Sequence, residues 1–268
     1  MNRRYATVWF VVGLLSGCHS LEHRLLYHPV SGETSGLSVQ DNHVHDVFVQ
    51  SASGDKIHAR WCPHPEGKGA ILYCPGNGGN LESRGALVSA LWRTQGESVL
   101  IVDYPGYGLS QGKPSEPGCY AAAEAAYRWL TETQQIPPQN IVLYGESLGG
   151  GVAVNLASRL PHRALVLNRT FTSIPDVAEH QLPILPAQWM MTNRFDNLQT
   201  IPQCSQPIFI AHATDDRLIP FSHGKKLANV CTAPVQRFVL DGLDHNEMPG
   251  HDFYDALREF LQNRAPIR

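Results

Sequence analysis

The stretch Ile141-Val142-Leu143-Tyr144-Gly145-Glu146-Ser147-Leu148-Gly149-Gly150-Gly151 reads as a short buried strand stopped abruptly by glycines around one serine. The spacing Gly145-x-Ser147-x-Gly149 suits a nucleophile elbow. In that sharp strand-to-helix turn, residues without a Cβ let neighbouring backbone approach and leave the serine standing above the sheet. Residues 151–160 carry Val152, Ala153, Val154, Leu156 and Ala157 and can run as a helix. Ser147 would then sit at a helix N-terminus, where N–H groups favour developing negative charge. The same residues also suit an ordinary turn whose serine only caps the helix.

Outward from this stretch, short apolar runs alternate with helical patterns, the signature of a parallel sheet. Strands are expected over 70–74, 98–103, 141–144, 164–168, 206–212 and 235–240, with helices over 81–94, 117–133, 151–160, 221–230 and 251–263. In the helix over 81–94, Leu87 with Leu91 and Val88 with Trp92 have the i,i+4 spacing of a buried stripe. Ahead of these, 43–49 and 56–62 alternate in polarity on either side of the turn at 51–55 and read as an antiparallel pair. The total is eight strands.

The alternation breaks between Asn168 and Gln206. Pro175, Pro183, Pro186 and Pro202 occur here beside Ile174, Leu182, Ile184, Leu185, Trp189, Met190, Met191 and Phe195. Such a segment is too apolar for a solvated loop. Two readings stand: a cap over the serine, or extra helical turns packed on the sheet edge.

A serine hydroxyl is a poor nucleophile until a base takes its proton, so a histidine and a carboxylate to orient it are needed. On such a sheet they should follow in the order serine, acid, histidine, each just after a strand. Asp215 and Asp216 follow strand 206–212, and His245 follows strand 235–240, with His251 the nearest rival. Spacing does not choose between the two aspartates. Negative charge developing on the substrate needs backbone N–H donors: Leu148 supplies the one after the serine, and the loop Pro75-Gly76-Asn77-Gly78-Gly79-Asn80 offers a second, at Asn77. That loop has no Gly-Lys-Ser/Thr for a phosphate-binding loop and no G-x-G-x-x-G for a dinucleotide. No cofactor is expected.

Together the blocks Tyr73 to Asn80, Asp103-Tyr104-Pro105-Gly106-Tyr107-Gly108-Leu109-Ser110, Gly145 to Gly150, His212 to Pro220 and Asp244-His245-Asn246 resemble the successive signature blocks of α/β-hydrolases. The resembling branch is that of serine hydrolases with a small cap, which includes depalmitoylating thioesterases and serine aminopeptidase-like enzymes. The resemblance implies an eight-stranded, mostly parallel sheet flanked by helices over 43–268, with a cap insertion at about 171–203. It implies Ser147 as nucleophile, Asp216 as acid, His245 as base, and Asn77 and Leu148 as oxyanion donors. Asp103 would brace its turn without reacting. The implied activity is hydrolysis of a small-molecule or acyl ester or thioester through an acyl-enzyme. Amide cleavage, or a non-catalytic lipoprotein that binds through the same fold, is the alternative.

Of 268 residues, 43% are hydrophobic and 17% charged, which fits one large globular domain. The 21 Lys+Arg against 24 Asp+Glu leave no basic excess for phosphates, so nucleic acid is not an expected partner. Arg3 and Arg4 precede an apolar stretch over 6–15, the order of a signal peptide and too short to span a bilayer comfortably. Its end, Leu15-Ser16-Gly17-Cys18, resembles the lipobox of bacterial lipoproteins. The expectation is a signal peptide over 1–17, lipidation at Cys18 that makes the membrane a partner, and a polar tether over 18–42. Followed by His19 and not Asp, Cys18 points to the periplasmic face of an outer membrane. The other five cysteines have no metal-like spacing and imply no particular bridge. His43 and His45 share a strand face but lack a third ligand, so they read as surface residues.

Overall fold

The computed structural model describes residues 22–32, 44–184 and 186–267. The strands are β1 (His45–Gln50), β2 (Lys56–Cys62), β3 (Ala70–Cys74), β4 (Ser98–Val102), β5 (Ile141–Glu146), β6 (Ala164–Asn168), β7 (Ile208–Ala213) and β8 (Val235–Leu240). They form one eight-stranded sheet in the order β8-β7-β6-β5-β3-β4-β2-β1. Only β1 with β2 and β2 with β4 run antiparallel. A hairpin over 51–55 can join β1 to β2, whereas the pairings among β3 to β8 are all parallel and need crossover connections.

The crossovers are α1 (Gly85–Gln95), α2 (Glu116–Arg128), α3 (Leu148–Ala157) and α7 (Ser222–Val230), α8 (His251–Arg264) follows the last strand, and α4 (Ile174–Gln181), α5 (Ala187–Met190) and α6 (Asn197–Thr200) lie between β6 and β7. Helices α1 and α8 cover one face of the sheet and α2, α3 and α7 the other. With helices on both faces, the central strands are buried along their whole length, as Ala70 to Cys74 are, which is why they read as continuous apolar runs. Burial of each Leu, Ile or Phe side chain there stabilises the fold by roughly 1.5–3 kcal/mol. The expected stripe of α1 is present, with Leu87, Val88 and Leu91 buried.

The register places the site. Cys74 pairs with Gly145, Glu146 with Asn168, and Asn168 with Ala211, so the C-terminal ends of β3, β5, β6 and β7 finish level. The strand order turns back at β3 and β5, and the loops leaving those ends diverge around a crevice, the usual ligand position of such a sheet.

Three expectations are corrected. Residues 22–32 of the expected tether are not a free leash: Leu26 and Tyr27 are buried in the core, and His28–Pro29 pairs in parallel with Gly78–Gly79. The helix expected over 81–94 opens with a 3₁₀ turn, Leu81–Arg84, before α1. The helix after Ser147 begins at Leu148, three residues earlier than the glycine run suggested. The leader, Cys18 and His43 lie outside the described residues; His45 is exposed on β1.

Candidate active site

Ser147 has φ 52° and ψ −117°, a conformation that non-glycine residues rarely adopt. The surroundings impose it. Its N–H donates to Asn168 O at 3.0 Å, and its carbonyl accepts from Thr170 Oγ1 at 2.8 Å and from Gly150 N–H at 2.9 Å. Glycine is needed beside it for close approach: a Cβ at Gly149 would lie 1.9 Å from Cys74 O, and one at Gly145 2.4 Å from Gly149 O. Ser147 stands at the N-cap of α3, yet its side chain makes no capping bond. That removes the reading of a serine that only caps a helix.

Ser147 Oγ lies 3.0 Å from His245 Nε2, and His245 Nδ1 lies 2.7 Å from Asp216 Oδ2. With Nδ1–H donating to the carboxylate, Nε2 is left to accept from the serine hydroxyl. Asp216 is buried, and its Oδ1 accepts from the N–H groups of Leu218 and Ile219 at 3.0 and 2.7 Å. Asp215 points to solvent, and His251 is exposed at the start of α8. Tertiary folding thus separates the adjacent aspartates that spacing leaves equal.

Residues not singled out in the sequence hold these groups. His212 is buried on β7; its Nε2 lies 2.8 Å from Ile219 O and 3.6 Å from Asp216 Oδ2. Burial lowers its pKa, so the ring stays neutral and braces the loop through an N–H. Arg169 is buried with its backbone at φ 51°, and its guanidinium donates to the carbonyls of Asp244 and Glu247, holding the turn that carries His245. A lone arginine after a strand gives no sequence signal for this role. Tyr73 donates through its hydroxyl to Glu146, beside the serine; burial pushes that phenol well above its ordinary pKa and keeps it a donor.

Asn77 and Leu148 line the cavity onto which Ser147 opens. The loop carrying Asn77 passes directly alongside, since a Cβ at Gly76 would lie 3.4 Å from Ser147 Cβ. Asp103 sits behind this loop, buried, its Oδ1 accepting from Leu81 N–H at 3.0 Å. Gly108, at φ 49°, leaves it room, because a Cβ there would lie 2.0 Å from Asp103 Oδ2.

The cavity, about 290 Å³, is walled by Phe171, Ile174, Val177, Ala178, Met190 and Met191, among others. The segment over 171–203 therefore has two parts. Its first part, with α4 and α5, covers Ser147. Its second part packs away from the site, with Phe195 buried against Tyr120 and Gly151. Trp189 and Ile184 do not line the cavity: they are 91% and 98% exposed. Among the described residues, no group of three His, Cys, Asp or Glu side chains is placed to hold a metal ion, and no helix is long and apolar enough to cross a membrane.

Residues 69–200 match the family model for the alpha/beta hydrolase fold. An uncharacterized protein of Mycobacterium tuberculosis is 33% identical over 95% of this chain and 92% of its own. Human alpha/beta hydrolase domain-containing protein 17B is 32% identical over 80% of this chain and 74% of its own. Among solved structures, an esterase of Pyrococcus furiosus superposes with a TM-score of 0.74 over 89% of this chain and 97% of its own, at 16% identity, a likeness of fold. With the sheet order, the turn at Ser147 and these relatives in agreement, the chain belongs to the α/β-hydrolase family.

Proposed function

We propose that the protein is a serine hydrolase that cleaves carboxylic esters or thioesters through an acyl-enzyme. The observation that carries this reading is the hydrogen-bonded succession Ser147, His245, Asp216, whose serine opens onto an apolar cavity. As Ser147 Oγ attacks the acyl carbon, His245 Nε2 takes its proton and the Asp216 carboxylate stabilises the imidazolium. The carbonyl oxygen becomes an oxyanion that the N–H groups of Leu148 and Asn77 receive. The intermediate then collapses. The C–O or C–S bond breaks, the alcohol or thiol leaves with the proton from His245, and the acyl group stays on Ser147. Water, deprotonated by His245, attacks the acyl-enzyme and releases the acid and Ser147.

The apolar walls favour an acyl chain over a peptide, which needs polar partners for its backbone. The human relative's name records only the hydrolase domain, so the ester or thioester choice rests on this chain's own cavity. The proposal includes export and lipidation at Cys18, with the domain attached to the periplasmic face of the outer membrane.

A fluorophosphonate probe should label the purified protein at Ser147, and Ser147→Ala should abolish both labelling and ester hydrolysis while leaving the thermal melt in place. Ser147→Ala protein that still turned over p-nitrophenyl butyrate would remove the assignment.

A further inference from the structure

Residues 22–32 precede the stretch matched to the family, residues 69–200, and precede the first strand of the sheet. They nevertheless touch the candidate site from three directions. Glu22, Leu25 and Leu26 form part of the cavity wall beside Asn77 and Ser147. Next, the two-residue strand His28–Pro29 grips the loop that carries Asn77. His28 N–H donates to Asn77 O at 3.1 Å, Val30 N–H donates to Gly79 O at 3.2 Å, and Asn77 Nδ2 donates back to Leu26 O at 2.8 Å. Finally, the Glu22 carboxylate accepts from Asn193 N–H at 2.7 Å, Asn193 Nδ2 at 2.7 Å, Thr192 N–H at 3.1 Å and Thr192 Oγ1 at 3.0 Å. Tyr27 adds a bond from its hydroxyl to Asn193 Oδ1 at 2.9 Å and is only 3% exposed.

We propose that this N-terminal arm is a positioning element of the hydrolytic site: it holds Asn77 at its oxyanion-binding position and couples that loop to the segment covering the cavity. The inference rests on the serine-hydrolase reading. Its physical basis is preorganisation. A backbone donor stabilises developing charge only if it is already in place when the charge forms, and removing one such donor costs about 10²–10³ in turnover. The loop over 75–79 is glycine-rich, so its conformation must be imposed from outside. Tyr104 and Tyr107 secure part of it, donating to Pro75 O at 3.0 Å and to Asn77 O at 2.7 Å. Among the described residues, the arm alone engages both the carbonyl and the side chain of Asn77.

Glu22 is the bolt. Burial raises its pKa, but the bonds from Asn193 and Thr192 outweigh that and hold the carboxyl below its ordinary value. An ionised carboxylate with four donors ties the start of the arm to residues that are distant in sequence. The arm is then fixed at both ends, by Glu22 at 192–193 and by Val30 with Ser31 against Gly79 and Gly108.

The test uses the full chain carrying Glu22→Ala, which removes the bolt, Glu22→Gln, which keeps an acceptor oxygen and hydrogen-bonding reach, and His28→Pro, which removes the N–H that binds Asn77 O. On soluble p-nitrophenyl butyrate, Glu22→Ala and His28→Pro should lower kcat about ten- to a hundredfold with KM within about threefold of wild type. Affinity for a trifluoromethyl ketone, which forms a tetrahedral oxyanion on the serine, should fall in parallel, while butyrate binds as before. Glu22→Gln should recover most of kcat. Amide hydrogen exchange over 75–80 should quicken in both damaging variants. A raised KM at unchanged kcat would show the arm to be only a wall of the cavity and would overturn the proposal. So would unchanged exchange over 75–80, a readout that needs no activity. If the wild type neither hydrolyses esters nor takes the fluorophosphonate, the hydrolase reading fails, and with it the catalytic part of this inference, whatever the exchange data show.

Discussion

At the scale of single residues, the site is set by side chains and backbone forced into positions they would not choose alone. Ser147 keeps a positive φ because the bonds from Thr170 and to Asn168 close around it, with Gly145 and Gly149 leaving no side chain in the way. Such strain, of order 1–3 kcal/mol, persists only where its surroundings over-determine it. Asp216 differs from Asp215 in the same way, through what surrounds it. One is buried against His245 and two backbone N–H groups, the other faces solvent. Asp216→Asn should therefore lower kcat by about three to four orders of magnitude, because the amide no longer holds His245 in the accepting tautomer, while Asp215→Asn changes kcat by less than about threefold. Steady-state kinetics on one soluble ester, with both variants melting near wild type, checks this. The reverse ranking would move the acid by one position.

At the scale of elements, the segment between β6 and β7 does two jobs. Its first part supplies the apolar wall, and each acyl methylene buried there would contribute up to about 0.8 kcal/mol. Hydrolysis of p-nitrophenyl esters should thus improve from acetyl to butyryl or hexanoyl. Ala178 lies on α4 and lines the cavity, so Ala178→Phe should erase the gain on hexanoyl ester while sparing acetyl ester. Trp189, one of the apolar residues that mark this segment in the sequence, is exposed, and Trp189→Ala should leave the chain-length trend intact. A profile that declines steadily from acetyl would place the acyl chain elsewhere.

The same segment is tied to α7 through His223, whose Nδ1 accepts from Thr172 N–H at 3.1 Å. Burial, followed by the charge of Lys226 and opposed by Asp176, pushes the pKa of His223 down to about 4 from 6.5. Between those values the unfolded chain binds a proton that the folded chain refuses. The stability contribution is accordingly complete above about pH 6.5 and is lost as pH falls through 4, to an extent on the order of 3 kcal/mol. Urea denaturation at pH 7.5 and pH 5 should show this loss, and His223→Gln should flatten the dependence. An equally steep decline in His223→Gln would assign it to other groups.

For the whole molecule, chain order and sheet geometry together bring the site to one edge. Residues separated by 98 positions, Ser147 and His245, meet because β5 and β8 run in the same direction and finish at the same end of the sheet. The N-terminal arm joins that edge, so the stretch following Cys18 leads into the cavity wall after three residues, 19–21. If the leader is processed as proposed, the mature protein begins at a lipidated Cys18 and sediments with membranes, and Cys18→Ser abolishes the modification. Mass spectrometry of the mature N-terminus reads this directly. An unmodified Cys18 in membrane-bound protein would make the leader an ordinary anchor.

What the sequence determined by itself was whatever local rules govern. The strands β2, β3, β6 and β8 were legible to the residue, because β3 and β6, buried on both faces, leave unbroken apolar runs, β2 alternates, and the half-exposed edge strand β8 still carries Val235, Phe238, Val239 and Leu240. The turn at Ser147 was legible because only glycine tolerates such close backbone contact, and the family blocks singled out Asp216 and His245, which the fold brings within hydrogen-bond reach of each other and of Ser147. The remaining decisions were tertiary. Burial separated Asp216 from Asp215, and cavity geometry put Ala178 and Met191 in the wall and left Trp189 outside. Residues 22–32, polar enough to read as a tether, became part of the site because their backbone N–H groups found the loop over 77–79 and Glu22 found Thr192 and Asn193. Hydrogen bonds between residues 49 to 171 positions apart have no local signature, since each partner's suitability depends on where the fold brings the other.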